Sequence, residues 1–193
     1  MTVIASMVGA VVLAAVTGSA APTVAAPSAA ASAARTAAST AALTGPLDVP
    51  ANLVPPPGNV MTSVFRAHGV QNYGCTAAGT WTLNEPAAVL NGIELRPVKR
   101  VEAIHFRGPS WQSDRDGTLV EGQNPVSAPS DHPNSIPQLL IQAKRTTGVG
   151  TFGGVTYIQR LETVGGVAPA PGCTEGQTTA VLYTAIYRFF KAA

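Results

Sequence analysis

The chain has 193 residues, of which 46% are hydrophobic and only 11% charged, with a formal net charge of +2. That length accommodates one domain with appendages. The charges are dispersed: "RPVKR" at 96–100, the densest basic cluster, reads as a solvated strand end, and the absence of a basic stripe excludes the electrostatic footprint of a nucleic-acid-binding protein.

No charged residue precedes Arg35. Residues 3–16, "VIASMVGAVVLAAV", form a short apolar run, and A-x-A-like options end at Ala21 or Ala26. Residues 1–26 therefore read as a secretory signal peptide, which implies a secreted, extracellular protein with no membrane association after cleavage. The run lacks a basic opening, so an uncleaved anchor is the alternative, although it is short for a span. Residues 27–50 are almost all Ala, Ser, Thr and Pro at first and read as a disordered spacer. "ALTGPLDVPANLVPPPG" reads as a simple linker, with a surface-docking strap as the alternative. Residues 51–193 are left as a single β-rich domain, long enough to bury one core.

Strand patterns follow at short intervals. In "GVQNYGC" (69–75), Gln71, Tyr73 and Cys75 share one face. "TWTLN" (80–84) alternates, and "VEAIHF" (101–106) is rich in β-formers. Asp116-Gly117 is a hairpin-turn dipeptide ahead of "TLVEG" (118–122). "PQLLIQAKRT" (137–146) is compatible with strand or helix, because its three consecutive apolar residues do not reveal a period. "GVTYIQRLETV" (154–164) and "AVLYTAIYRFF" (180–190) are β-rich, the latter with Val181, Tyr183, Ala185, Tyr187 and Phe189 on one face. The expected fold is all-β, a mainly antiparallel sandwich or barrel with at most one short helix.

Gly148, Gly150 and Gly153 stand at GxGxxG spacing. A dinucleotide loop must open a helix, because the helix N-terminus holds the pyrophosphate. The residues after Gly153 alternate and are β-branched, so the stretch reads as a hairpin connection whose glycines supply positive φ, and no cofactor is expected. The two cysteines, Cys75 and Cys173, form an even count in a secreted chain and suggest a disulfide, with two free buried thiols as the alternative. They form no CxxC and have no histidine nearby in sequence, so no metal site is expected.

"GVQNYGC" (69–75), "HFRGPSWQ" (105–112) with "DGT" (116–118), "IPQLLIQA" (136–143) and "VTYIQRLETVGGVAPAPGC" (155–173) occur in that order. Together they resemble a secreted bacterial and fungal family catalogued only as a domain of unknown function, with the patterns GVQ-x-Y-x-C, HF-x-GP-x-WQ and VTYIQR-x-x-T-x-GG. The resemblance implies a secreted β-rich domain with the two cysteines paired. It brings no established activity and no catalytic residues. Some relatives carry a malate dehydrogenase label, which the glycine argument speaks against here.

The richest polar-aromatic stretch is "HFRGPSWQSDRDG" (105–117). One reading is a ligand groove for a small molecule or a cell-surface glycan. Trp111 supplies a flat face, His105 and Gln112 directional hydrogen bonds, and Tyr73, Trp81, Asp114 and Gln159 the surroundings. The plainer reading is a core tryptophan with a hydrogen-bonded indole and a buried His-Gln pair bracing a turn. No GxSxG, HExxH or P-loop pattern occurs, so catalytic residues stay unassigned. Three functions remain: a non-enzymatic ligand-binding or cell-surface-associated module, which is preferred; a small extracellular hydrolase using His105 and Asp114; or a surface structural or assembly protein.

Overall fold

The computed structural model describes residues 47–193. The expected signal peptide and most of the expected spacer lie outside the described residues. Eight strands follow one another: β1 (Asn59–Cys75), β2 (Trp81–Leu95), β3 (Val98–Phe106), β4 (Ser110–Ser113), β5 (Leu119–Ala128), β6 (Gln138–Thr147), β7 (Val155–Gly165) and β8 (Thr178–Ala192). Each pairs antiparallel with the next, and β8 pairs back onto β1, so the sheet closes into a barrel. The all-β expectation holds, and of sandwich and barrel it is the barrel that forms. The one helical element among the described residues is a 3-10 turn, Ala51–Leu53.

The ambiguous 137–146 stretch is strand β6, because both its edges are taken up in ladders with β5 and β7. A strand with two partners satisfies its backbone groups without helix formation. Strand β4 was not legible in the sequence: four residues are too few to show a period. The Asp116-Gly117 turn forms as expected between β4 and β5, with Gly117 at φ +67°.

The inward faces build one core from Phe65, Leu90, Val101, Trp111, Val120, Ile141, Ile158, Tyr187 and Phe189, with alanines between them. Large and small residues alternate around the wall, as a narrow barrel requires. The outer wall is also covered on one side. Leu47, Val49 and Leu53 pack over Val64, Ile93, Ile186, Leu140 and Leu161. Asn52 Nδ2 donates to Ser127 O at 3.0 Å and so pins this strap to β5. Leu53 is wholly buried, and its removal from such a site costs about 2–5 kcal/mol.

The GxGxxG stretch is the β6–β7 connection, and no helix follows it. It folds under one end of the barrel. Phe152 inserts into the core, with ring centroids 4.6 Å from Phe189 and 5.7 Å from Phe65. Asp116 holds it there: one carboxylate oxygen accepts from Thr118 N at 3.1 Å, the other from Thr151 N at 2.9 Å. Phe152 N in turn donates to Thr118 Oγ1 at 3.0 Å. The glycines do more than the expected positive φ. Gly148, Gly150 and Gly154 have it, whereas Gly153 does not. Gly150 is needed for space, since a Cβ there would collide with the Asp116 carboxylate. Burial alone would raise the Asp116 carboxyl, but the hydrogen bonds from Thr118 and Thr151 outweigh it and hold the group below its ordinary value of 3.8.

Cys75 and Cys173 are bonded, joining the end of β1 to the β7–β8 loop across a sequence separation of 98 residues. Closing a loop of that size removes about 4–5 kcal/mol of unfolded-state entropy in the chain-entropy model. The double variant Cys75→Ala/Cys173→Ala is expected to lose stability on that order in urea unfolding at pH 7. Asp116→Asn keeps the size but not the charge, and is expected to lose about 1–2 kcal/mol in the same assay. That loss shrinks as pH falls below 3.8, where the unfolded-state carboxyl protonates and the native carboxylate loses its advantage.

Candidate functional site

The barrel is filled unevenly. The end that carries the β6–β7 connection is plugged by Phe152. Toward the other end a cavity of about 430 Å3 opens, within the ordinary range for small-molecule sites. Its lining comes from all eight strands, including Gln71, His105, Trp111, Leu139, Arg160 and Tyr187.

Each of these reaches the interior by strand phase. Gln71 shares the inward face of β1 with Phe65 and Ala67. His105 lies directly opposite Trp111 across the β3–β4 ladder. Their rings are parallel within 1° at a centroid distance of 4.4 Å. Tyr187 meets the edges of both, at 5.4 Å from His105 and 5.6 Å from Trp111. Gly122 on β5 leaves room for this stack, because a Cβ there would lie 3.3 Å from Trp111 Cζ3 and still closer to Ile141. Arg160 follows Ile158 inward on β7 and lies between Leu139 and Tyr187 in the sheet.

His105 Nδ1 is 2.8 Å from Ser110 O. A carbonyl oxygen only accepts, so Nδ1 carries the proton and Nε2 is the bare acceptor. Burial pushes the imidazole down to about 3, the Ser110 bond resists, and the positive charge of Arg160 adds to the fall. The ring is neutral at physiological pH.

Several buried polar atoms here have no partner among the described residues: Gln71 Nε2 and Trp111 Nε1. The residues themselves are 1% and 0% exposed. The Tyr183 and Tyr187 hydroxyls lie near each other without a well-shaped hydrogen bond. Leaving such a group unsatisfied costs about 1–3 kcal/mol, so these atoms are exceptions that need an explanation.

Of the seven residues expected to form a groove, His105 and Trp111 line the cavity. Trp111 is a core residue, as the plainer reading held, yet its indole is not hydrogen-bonded. Tyr73 is buried, but its hydroxyl donates to Gly166 O at 2.6 Å and it does not line the space. Trp81 opens β2 beside Cys75, outside the cavity. Gln112 has the opposite phase to Trp111, and its amide donates to Gly117 O at 3.3 Å. It does not form a pair with His105. Asp114 is exposed in the β4–β5 turn, away from the cavity, so it and His105 are not brought together. Gln159 is on the outer wall, where its amide donates to Leu53 O at 2.7 Å under the strap. The apolar Ile158 takes the inward phase of β7, and that sends Gln159 out and Arg160 in.

Gln71, Arg160 and Tyr187 are among the cavity residues missed from the sequence. A signal was present for two of them: a polar side chain standing in the apolar phase of a strand, Gln71 with Tyr73 and Arg160 with Ile158. Among the described residues, no group of three or more His, Cys, Asp or Glu is arranged to hold a metal ion.

Residues 94–191, more than half of the chain, match a family model described as "Protein of unknown function (DUF3455)". The match runs from the end of β2 to the end of β8 and includes the His105–Trp111 hairpin and β7. No curated protein and no solved structure matches the chain.

The depressed imidazole has a measurable consequence. The unfolded histidine binds a proton near 6.5 and the folded one only near 3, so stability is lost as pH falls between those values. Between pH 7.5 and pH 5 the loss from this group is about 2 kcal/mol. Urea unfolding of the wild type against His105→Gln is expected to show it in the wild type alone. Parallel pH dependences in the two proteins would refute the assignment.

Proposed function

The chain belongs to the family described as "Protein of unknown function (DUF3455)", and from its barrel we propose that it is a secreted, non-enzymatic protein that binds a small molecule inside the open end. The observation that carries this reading is the pair of fully buried, unpartnered donors, Gln71 Nε2 and Trp111 Nε1, in residues from different strands that line one cavity. A core selected only for stability fills such positions with apolar groups, because an unpaired buried donor is a net cost. A bound molecule that accepts from them, after a side-chain shift that uncovers both nitrogens, removes the penalty.

The hydrolase reading has less support. A general acid–base site needs a histidine titrating near the working pH or a carboxylate within reach of it. His105 is held neutral, and Glu85, the carboxylate in the lining, is paired with Arg107 at 3.2 Å. Secretion is supported by the signal-like residues 1–26 and by the Cys75–Cys173 bond, which suits an oxidising compartment.

Saturable, one-to-one binding of the neutral fluorophore N-phenyl-1-naphthylamine, with quenching of tryptophan emission, is the expected result in a direct titration. Leu139→Trp fills the cavity from its wall and is expected to abolish the signal while the far-UV spectrum stays that of the barrel. Gln71→Leu is expected to gain about 1–2 kcal/mol of stability, since it deletes an unpartnered buried amide nitrogen. Undiminished fluorophore binding by Leu139→Trp would overturn the location, and no binding by the wild type would overturn the reading.

A further inference from the structure

We propose, resting on the reading of this cavity as a ligand site, that its ligand is a small planar carboxylate, an aromatic or conjugated organic acid. Hydrogen-bond polarity gives the first argument. The amide nitrogen of Gln71 and the indole nitrogen of Trp111 can only donate. Both are unpartnered among the described residues and sit in nearly inaccessible side chains. They require acceptor atoms, and a carboxylate brings two oxygens with several lone pairs into a small volume.

Charge gives the second. The cavity lining holds two arginines and one carboxylate. Arg107, at the rim, is paired with Glu85. Arg160 has no ion pair among the described residues: its Nε and Nη2 both donate to Pro137 O, at 3.2 and 2.9 Å, and that oxygen is neutral. An arginine guanidinium is a cation with five N–H donors. Its field reaches the interior, where it acts against protonation of His105 and favours ionisation of Tyr73 and Tyr183. His105, being neutral, neither adds to this charge nor cancels it. The cavity therefore carries one uncompensated positive charge, which one negative charge complements. A phosphate ester with nearly two charges would leave the second unpaired against apolar walls, a costly arrangement.

Shape gives the third. The rest of the lining includes the Trp111, His105 and Tyr187 rings with Leu139, Ile141 and Pro109, and of these Leu139 and Tyr187 flank Arg160 in the sheet. Aromatic rings pack well on such edges and faces, and a flat ligand loses little conformational freedom on entering. His105 Nε2, the free acceptor, can take a hydrogen bond from a ring hydroxyl, so hydroxylated acids suit the site better than bare ones.

The test uses trans-cinnamate and trans-cinnamamide, which share shape and differ in charge, titrated calorimetrically into the folded full-length protein. Cinnamate is expected to bind at least about tenfold more tightly, a difference of about 1.4 kcal/mol. Arg160→Gln is expected to erase most of that preference and Arg160→Lys to keep part of it. If Arg160→Gln fails to fold, the wild type decides by salt: added sodium chloride must weaken cinnamate and leave cinnamamide unchanged. Hexanoate is expected to bind more weakly than cinnamate, and equal binding would overturn the planar requirement. Equal affinity for cinnamate and cinnamamide would overturn the acid assignment. So would failure of both cinnamyl probes while N-phenyl-1-naphthylamine still binds, which leaves the cavity a ligand site for another class. Failure of all three probes overturns the ligand reading along with it.

Discussion

Everything in this structure depends on the ladder between β1 and β8. It runs from Asn59 opposite Ala192 to Gly74 opposite Thr178, and it joins the first strand of the sheet to the last. Without it the sheet would have two edges with unpaired backbone groups, and its concave face would need another layer to cover it. With it, every strand acquires an inside and an outside, and the interior becomes a fixed volume that side chains must fill. The bulge between Met61 and Ser63 keeps the register compatible with closure.

How that volume is filled separates the two ends. At one end Phe152 is pushed up from the β6–β7 connection and locked by Asp116, Thr118 and Thr151. This is a dry plug whose polar supports lie at the turns, and it is well satisfied. At the other end the His105–Trp111 stack and Tyr187 form a floor with polar atoms left unpartnered. The same closure that makes a good core at one end makes a cavity at the other. The outer strap from Leu47 to Leu53 adds a second apolar layer on one flank and stiffens the wall that Gln159 and Leu161 belong to.

On the proposed reading, the unpaired atoms set stability against function. Each unsatisfied buried donor costs about 1–3 kcal/mol, a large fraction of the 5–15 kcal/mol that holds a typical domain together. The disulfide and the Asp116 turn lie outside the cavity and offset this cost without touching it. Such a division, with unsatisfied groups at a rigidly framed cavity and compensation elsewhere, fits the binding role proposed above. Arg160 stands in the same lining, where its guanidinium donates to Pro137 O.

The sequence by itself determined the chemistry of the wall. Period-two patterns marked β-structure in β1, β2, β3, β5, β7 and β8, the Asp116-Gly117 turn announced its hairpin, and the β-branched residues after Gly153 excluded a dinucleotide loop. Alternation along β7 sets Ile158 and Arg160 on one face and Tyr157 and Gln159 on the other. Only the tertiary structure decided which of those faces was the inside, because period two is symmetric and the strap makes the outer face of β7 apolar as well. Hence Gln159 was expected in a groove and lies under the strap, while Arg160 faces the cavity. Closure itself was equally invisible, since the β1–β8 pairing joins residues more than a hundred positions apart and no local pattern records it. The cavity follows from closure, and so do the gathering of Gln71, Trp111 and Arg160 in one lining and the unpaired state of Gln71 Nε2 and Trp111 Nε1. Local sequence dictates what a strand can pair with and bury. Which strands meet, and what is left unmet between them, is settled only when the sheet returns to its own first strand.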